Sequence, residues 1–358
     1  MDATVSLHNL GQSLWLDNLS RDLLNDGTLR RYISDLSITG VTSNPTIFDH
    51  AIKGSAIYDN AIRDGAAKGK QNQELFFDLA LGDVQMAADL LSDIQKRTNG
   101  LDGWVSLEVP PALAHDTEGT VAAATVLARR ADRSNVFIKV PGTKAGLHAV
   151  SELIFRGIPI NITLLFSPDQ YVAAAEAYLV GVERRIEAGL SPSIYSVASV
   201  FVSRWDVAVR DRVPEHLRNR LGIAVAETVY GTYRELMASH RWQRALNYGA
   251  YFQRLLWAST GTKDPQVSKA LYVDALAAPF TINTMPDATL LAISEKEQYP
   301  GPMSIDTSAA KLILHEYEAL GLEVEQIGAE LQTAGVETFS KSWDELMKVL
   351  ADKSGSLS

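Results

Sequence analysis

One lysine of the chain lies within an apolar run that has the residue pattern of a β-strand. Val136, Ile138 and Val140 alternate with Phe137 and Lys139. Because successive side chains of a strand point to opposite faces, Lys139 shares the face of Phe137 and not that of the aliphatic residues. Burial inside a barrel favours the neutral amine of a lysine, which can attack a carbonyl carbon and form a Schiff base. A lysine that reaches solvent at the strand end is the alternative.

Two carboxylates show the same alternation. Asp17 follows Leu16 and lies on the opposite face, and Glu108 lies opposite Leu107 and Val109. Two carboxylates near one lysine can divide the proton transfers between the amine and a substrate hydroxyl. Each also has a structural alternative, since Asp17 could cap the following helix and Glu108 could belong to a cap or a salt bridge.

Hydroxyl and amide side chains follow the same strand parity. Asn161 and Thr163 alternate with aliphatic neighbours. Thr42 and Asn44 are two positions apart at the end of another strand-like run, so they share one face, and Ser199 lies in a third run. These groups donate and accept hydrogen bonds without adding charge, which suits a polyhydroxylated substrate. Asn44 could be a turn residue before proline, and Asn161 and Thr163 could bond to each other. Together with the lysine and the carboxylates, the pattern describes an aldol reaction of a sugar through a Schiff base.

Two cations follow later strand-like runs. Arg204 comes directly after the sixth run, and the seventh is followed by Ser259, Thr260, Gly261, Thr262 and Lys263. Hydroxyls, free backbone N–H groups and a cation are suited to holding a phosphate. An ordinary loop and a solvated helix start remain the alternatives at this point.

Composition excludes several other chemistries. The chain of 358 residues has no cysteine, so disulfide frameworks, thiolate metal sites and cysteine nucleophiles are excluded. Its seven histidines form no i,i+4 pair, and it contains no HExxH, GxSxG or P-loop motif. A net charge of −10 argues against nucleic-acid binding. The absence of a signal pattern and of a long apolar segment predicts a cytoplasmic protein that does not contact a membrane.

Eight β-like runs alternate with helical patterns, which predicts an α/β fold with a parallel sheet. Eight is the number that closes a (β/α)8 TIM barrel. An open doubly wound sheet would place a glycine-rich loop after the first strand, and residues 18–21 contain no glycine. We therefore expect a single barrel domain over residues 1–358, with additional helices and a short flexible tail from about residue 353. The predicted strands are 13–16, 38–42, 105–109, 136–140, 160–164, 195–202, 255–259 and 279–283.

The end of the chain carries an amphipathic helical stripe. Val336, Phe339, Trp343, Leu346 and Leu350 recur at steps of three or four. Such a stripe usually covers a hydrophobic core, which is the interpretation we adopt. Trp343 and Leu350 could also line a dimer interface, so both a monomer and a homodimer remain open.

Several ordered motifs of the chain resemble the transaldolase family of class I aldolases. The resemblance extends from about residue 8 to about residue 350, and the length and residues 257–265 are similar to its longer bacterial branch. It implies an enzyme that needs no metal or organic cofactor. The segments that carry the resemblance are residues 14–17, 41–46, 105–109, 137–143, 161–167 and 196–204.

The resemblance also implies roles for individual residues. Lys139 would form a Schiff base with the C2 carbonyl of a ketose phosphate, and Asp17 would take the proton of the C4 hydroxyl. Glu108, with Thr163 and a water molecule, would shuttle protons at the nitrogen. The implied substrate-binding residues are Thr42, Asn44, Asn161, Ser199, Phe201, Arg204 and Ser259, and we add Lys263 where the chain departs from the family.

The family transfers a dihydroxyacetone unit between sugar phosphates in the non-oxidative pentose phosphate pathway. Its donors are sedoheptulose 7-phosphate and fructose 6-phosphate, and its acceptors are glyceraldehyde 3-phosphate and erythrose 4-phosphate. This chain departs from many members at Gly261, where they have an arginine, and we expect Lys263 to replace that cation. An aldolase that releases free dihydroxyacetone is the alternative, although Glu108 favours transfer. A non-catalytic sugar-phosphate-binding barrel would have no need for Lys139.

Overall fold

Eight parallel strands follow one another around a closed barrel in the computed structural model, which describes residues 3–357. Each strand pairs with the next along the chain, and the last pairs with the first. The predicted (β/α)8 barrel is therefore confirmed. The strands are β1 (Ser13–Leu16), β2 (Ile38–Thr42), β3 (Trp104–Glu108), β4 (Val136–Pro141), β5 (Ile160–Leu165), β6 (Ser196–Phe201), β7 (Arg254–Ala258) and β8 (Thr281–Met285).

Helices connect the strands, and many gaps hold more than one. Several begin where the sequence supplies a cap: Asn44, Thr143 and Ser167 each accept a hydrogen bond from a backbone N–H of the first turn. The helices are α1 (Ala3–Leu10), α2 (Arg21–Asn25), α3 (Thr28–Asp35), α4 (Pro45–Gly54), α5 (Asp59–Ala67), α6 (Asn72–Arg97), α7 (Thr117–Ala131), α8 (Lys144–Phe155), α9 (Pro168–Glu187), α10 (Ser203–Val209), α11 (Leu221–Ala238), α12 (His240–Asn247), α13 (Leu271–Ala275), α14 (Asp287–Ser294), α15 (Ser308–Ala319) and α16 (Val324–Leu357). Between residues 3 and 357, no helix combines the length and apolar content needed to cross a membrane.

The last strand begins later than the sequence pattern predicts. Pro279 has no N–H to donate to a strand ladder, and Phe280 has a φ of +59°. The backbone N–H of Phe280 donates to the carbonyl of Gly11, which fixes this turn. Strand β8 therefore starts at Thr281 and extends to Met285, so that Thr284 lies within it.

The inward face of the barrel carries an aromatic layer beneath the ionisable residues. Trp104 and Phe137 stack with ring centroids 4.0 Å apart, and Trp15 lies 6.3 Å from Phe137. Phe137 precedes Lys139 by two positions and Trp15 precedes Asp17 by two, so each pair shares one face of its strand. The rings fill the lower barrel and leave the polar side chains toward the C-terminal ends of the strands.

Gly40 provides the space for one of these rings. A Cβ atom at this position would lie 2.4 to 2.5 Å from three indole atoms of Trp15, whose Nε1 donates to Asp102 at 2.8 Å.

We expect Gly40→Ala to lower the free energy of unfolding by about 1–3 kcal/mol, because the ring must move in a packed interior. Chemical denaturation measures this change. The control is Gly54→Ala at the exposed end of α4, where an added Cβ would meet no described residue beyond its own helix within 4 Å. Equal unfolding midpoints for the two variants would contradict the prediction.

Helix α16 packs against α4, α5 and α6 and extends through Leu357. Its final turns occupy the segment for which the sequence predicts a flexible tail. Lys353 Nζ donates to the carbonyl of Ser55 at 2.9 Å and to Asp59 at 2.7 Å, which holds these turns against the neighbouring helices. Residue 358 lies outside the described part of the chain. Trp343 and Leu350 are buried within the chain, as the core interpretation of the stripe predicts.

Candidate active site

Lys139 lies near the C-terminal end of β4 and is only 5% exposed. Its Nζ donates to the backbone carbonyl of Ser43 at 3.2 Å and lies 3.8 Å from Oε2 of Glu108. The strand register places Glu108 on one side of Lys139 and Asn161 on the other. The lysine therefore points into the barrel, and the solvent-reaching alternative is wrong.

Glu108 is a buried carboxyl group beside this amine. Neither of its side-chain oxygens has a hydrogen-bond partner among residues 3–357. Burial raises the pKa of Glu108 to about 7, although the positive charges of Lys139 and Arg204 oppose the rise. A carboxyl group with such a pKa can both donate and accept a proton near neutral pH, which is the property a proton shuttle needs.

Asp17 follows β1 and is half-buried at the same end of the barrel. Oδ1 of Asp17 accepts a hydrogen bond from Thr42 Oγ1 at 2.7 Å. The backbone N–H of Asp17 donates to the carbonyl of Met285 at 2.8 Å. The following helix is capped by Ser20. The capping alternative for Asp17 is therefore wrong, and its carboxylate is available to the interior.

A chain of hydrogen bonds orients the neutral polar groups. Ser199 Oγ donates to Oδ1 of Asn161 at 2.6 Å, and Nδ2 of Asn161 donates to Ser106 Oγ at 3.1 Å. Thr163 does not bond to Asn161, and its buried hydroxyl has no partner in the described chain. Asn44 is the N-cap of α4 and not a turn residue, since its backbone is extended and its Oδ1 accepts from the N–H of Ile47 at 3.0 Å.

These side chains surround one cavity at the C-terminal end of the barrel. Nine of the twelve predicted site residues line it, and the other three, Glu108, Asn161 and Thr163, are buried and do not line it. A larger groove of about 730 Å³ lies outside the barrel between α8 and α9 and contains none of the predicted residues. The predicted residues that line the cavity are Asp17, Thr42, Asn44, Lys139, Ser199, Phe201, Arg204, Ser259 and Lys263.

Arg204 lies between two aromatic rings of this cavity. Its guanidinium carbon is 4.8 Å from the ring centre of Phe201 and 5.6 Å from that of Phe339. Burial lowers the pKa of Arg204, while the carboxyl groups of Glu108 and Asp17 raise it. Within the described residues it forms neither a hydrogen bond nor an ion pair. The guanidinium is thus oriented by stacking, and its N–H groups can bind an anion.

The loop after β7 supplies further polar groups beside Arg204. Ser259 has a φ of +55°, and its hydroxyl lies 2.9 Å from that of Ser203. Its carbonyl also accepts from the N–H of Ser203 at 3.0 Å. This contact joins the loops after β6 and β7, and brings Arg204 and Lys263 to one cavity. Such a backbone conformation is costly for serine and is common at functional sites.

Five lining residues were not among the predicted site residues. They are Ala258, Gly261, Thr284, Pro286 and Phe339. Phe339 belongs to the apolar stripe of α16, and its ring centre lies 5.9 Å from Lys139 Nζ. Its position in a helical stripe gives no sign that it differs from its core neighbours. Thr284 also lines the cavity, and a correct boundary for β8 would have identified it. In residues 3–357, no group of three or more His, Asp or Glu side chains has an arrangement that could hold a metal ion.

Comparisons with known proteins agree with the sequence resemblance. The family model described as Transaldolase/Fructose-6-phosphate aldolase matches residues 14–350. A transaldolase of Saccharopolyspora erythraea is 41% identical over 355 residues, which cover 97% of this chain and 96% of the relative. A transaldolase of Acidothermus cellulolyticus is 42% identical, with 96% and 95% covered. Transaldolase 2 of Nostoc punctiforme is 37% identical, with 98% and 97% covered.

Proposed function

The chain belongs to the transaldolase/fructose-6-phosphate aldolase family of enzymes, and we propose that it transfers a dihydroxyacetone unit between sugar phosphates through a Schiff base on Lys139. The observation that carries this proposal is the cavity in which the buried amine lies 3.8 Å from the carboxyl group of Glu108. Asp17 and the unpaired Arg204 line the same cavity. An amine, two carboxyl groups and an anion-binding cation are the groups that the reaction requires.

The first half of the reaction forms and uses the Schiff base. The neutral amine of Lys139 attacks the C2 carbonyl of sedoheptulose 7-phosphate or fructose 6-phosphate, and Glu108 donates the proton with which the hydroxyl leaves as water. Asp17 then takes the proton of the C4 hydroxyl as the C3–C4 bond breaks. The electron pair of that bond moves toward the iminium nitrogen, and an aldose phosphate leaves. The enamine of dihydroxyacetone remains on the lysine.

The second half runs these steps in reverse with a new partner. The enamine carbon attacks the aldehyde of glyceraldehyde 3-phosphate or erythrose 4-phosphate, and Asp17 returns its proton to the oxygen that becomes the new C4 hydroxyl. Water then adds to the iminium carbon, and Glu108 takes a proton as the product leaves. These substrates would place the enzyme in the non-oxidative pentose phosphate pathway.

The neutral polar residues would hold the three-carbon unit. The hydroxyl of Ser199 and the amide of Asn161 are already oriented by their mutual hydrogen bond. We assign Thr42 and Asn44 to the hydroxyls of the same unit and the buried Thr163 to a water molecule beside Glu108. Phe201, which stacks on Arg204, would limit the width of the cleft.

The phosphate would bind to Arg204, to Ser259 and to Lys263 in the loop after β7. Gly261 occupies the position at which many family members carry an arginine, so the second cation must come from elsewhere in the loop. Lys263 is exposed and lines the cavity, which makes it the available replacement.

Lys263→Ala is expected to raise KM for phosphorylated substrates by about tenfold and to change kcat little. A charged hydrogen bond to phosphate contributes about 1.5–3 kcal/mol, and each 1.4 kcal/mol corresponds to tenfold in affinity. Steady-state kinetics with fructose 6-phosphate measure the change. The matched control is Lys269→Ala, because Lys269 is exposed in the same loop but does not line the cavity. An unchanged KM for Lys263→Ala would place the second phosphate contact on another residue.

The proposed function is tested by trapping. The protein is incubated with fructose 6-phosphate and borohydride and then digested, and the mass of the peptide that contains Lys139 is measured by mass spectrometry. We expect the mass of a reduced three-carbon unit on this peptide, and transfer of that unit when erythrose 4-phosphate is added before reduction. Absence of any adduct would overturn the Schiff-base mechanism. Free dihydroxyacetone that accumulates without an acceptor would instead assign the chain to the aldolase activity of the family.

A further inference from the structure

A second hydroxyl lies behind the hydrogen bond that Thr42 makes to Asp17. Thr42 Oγ1 is 2.7 Å from Oδ1 of Asp17 and 2.6 Å from Oγ1 of Thr284. Thr42 and Thr284 are both 2% exposed, and all three residues line the cavity. Thr42 belongs to β2 and Thr284 to β8, and Asp17 directly follows β1, the strand that lies between these two in the barrel.

The number of hydrogens determines the direction of this chain of contacts. A hydroxyl group has one hydrogen to donate, and an ionised carboxylate only accepts. With Asp17 ionised, the hydrogen of Thr42 is therefore committed to the carboxylate. The hydrogen between Thr42 and Thr284 must then come from Thr284. The hydroxyl of Thr284 makes no other hydrogen bond with the described residues.

We propose that Thr284 is a positioning residue for the carboxylate of Asp17 and that it acts through Thr42. This inference rests on the proposed function, in which Asp17 accepts the proton of the C4 hydroxyl. A donor behind Thr42 strengthens the hydrogen bond of Thr42 to the carboxylate and fixes which oxygen of Asp17 stays free. When the free oxygen of Asp17 takes up the substrate proton, Oδ1 remains an acceptor, so both hydrogen bonds persist in the acid form.

The backbone around Thr284 supports a fixed position for its hydroxyl. Thr260 Oγ1 lies 3.0 Å from the carbonyl oxygen of Thr284 and 2.8 Å from Oδ1 of Asn283, and its single hydrogen is shared between these two acceptors. The carbonyl of the next residue, Met285, accepts from the N–H of Asp17. The strand that carries Thr284 is thereby tied on one side to Asp17 itself and on the other to the loop after β7.

The test removes the hydroxyl of Thr284 and keeps the shape of the side chain. We expect Thr284→Val to lower kcat by about fivefold to tenfold, with KM within about twofold of the original value. Thr284→Ser should restore kcat to within about twofold, because serine keeps the donor. Should the valine variant not fold, Thr284→Ala makes the same comparison without a methyl group forced against Thr42. The control is Thr39→Val, a buried threonine of β2 whose hydroxyl makes, with the described residues, only a 3.4 Å contact to a backbone carbonyl.

Two further measurements separate a positioning role from a general structural one. In a Thr42→Val background, Thr284→Val should change kcat by less than about twofold, since the residue through which it acts is gone. Borohydride trapping should also change, because slow C3–C4 cleavage leaves the intact six-carbon sugar phosphate on Lys139. We therefore expect the Thr284→Val adduct to shift from the three-carbon to the six-carbon mass.

The outcomes distinguish this inference from the proposed function. If the unmodified protein forms no adduct, the proposed function fails. If it forms one and Thr284→Val gives the same three-carbon adduct with the same kcat, only the role of Thr284 is overturned. An equal loss of kcat in the presence and absence of Thr42 would overturn it as well, because Thr284 would then act independently.

Discussion

Lys139→Ala abolishes the borohydride-stable adduct and lowers turnover by about 10⁴-fold or more. The reason is that residues 3–357 place no second amine in a comparable position: the other lysine that lines the cavity, Lys263, is exposed on the loop after β7. The water that would replace the amine cannot form an iminium ion and so provides no electron sink for cleavage. Mass measurement of the digested protein and a coupled transfer assay give the two readouts.

The controls for this variant address folding and specificity. Lys139→Met keeps most of the side-chain volume against the ring of Phe339, so it should fold with the same loss of activity. Lys144→Ala removes an exposed lysine at the start of α8 and should retain both adduct and turnover. A full-size adduct in Lys139→Met would show that the reactive amine lies elsewhere.

Glu108→Gln lowers kcat by about 10²–10³-fold and removes the dependence of kcat on a group that titrates near pH 7. Burial raises the pKa of Glu108 to about 7, so its protonation state changes within the working range. Glutamine has nearly the same shape but neither gives nor takes a proton, and general acid–base catalysis contributes about 10²–10⁴-fold. The measurement is kcat against pH for both proteins. Glu108→Asp keeps the carboxyl group and should keep the pH dependence, and a Gln variant with the original profile would contradict the assignment.

The raised pKa of Glu108 also predicts how the stability of the fold depends on pH. Its pKa rises from 4.5 in the unfolded chain to about 7 in the folded one. The folded state therefore binds more protons in this range, and stability falls as the pH rises from about 4.5 to about 7. The loss is at most about 3 kcal/mol by linkage. Glu108→Gln should lack this loss. In urea titrations, the free energy of unfolding of the variant should therefore increase relative to that of the original protein as the pH rises over this range. Parallel curves for the two proteins would show that Glu108 ionises in the folded protein as it does in water.

Strand alternation predicted the inward face of the barrel. The aliphatic residues on either side of Lys139 could pack only against helices, which left the lysine on the interior face with Phe137. The same logic applied to Asp17 and Glu108, and the structure places both beside the cavity. Eight alternating strands and helices also predicted the barrel. The boundaries of β8 were predicted two residues too early, and the predicted end at residue 283 left Thr284 outside the strand.

Side chains that serve two purposes were harder to interpret. Asn44 caps α4 and also lines the cavity, so one side chain has a structural role and a place in the site. Phe339 fits the apolar stripe of α16, yet its ring faces both Lys139 and Arg204. Nothing in a helical stripe tells which of its members meets a charged group on another element. The flexible tail expected from Gly and Ser content is instead helical, because Lys353 bonds to residues almost 300 positions earlier.

The sequence by itself determined which side chains point inward, because side-chain direction in a strand follows from the backbone of that strand alone. It also determined the order of strands and helices and hence a barrel with polar groups at one end. Only the tertiary structure decided which partners those groups meet. Thr42 and Thr284 are 242 residues apart in the chain and touch because β8 closes against β1. The hydrogen bond from Lys139 to the carbonyl of Ser43 likewise depends on how the strands assemble into the barrel. The stacking of Arg204 between two rings depends on the path of α16, which supplies one of the rings.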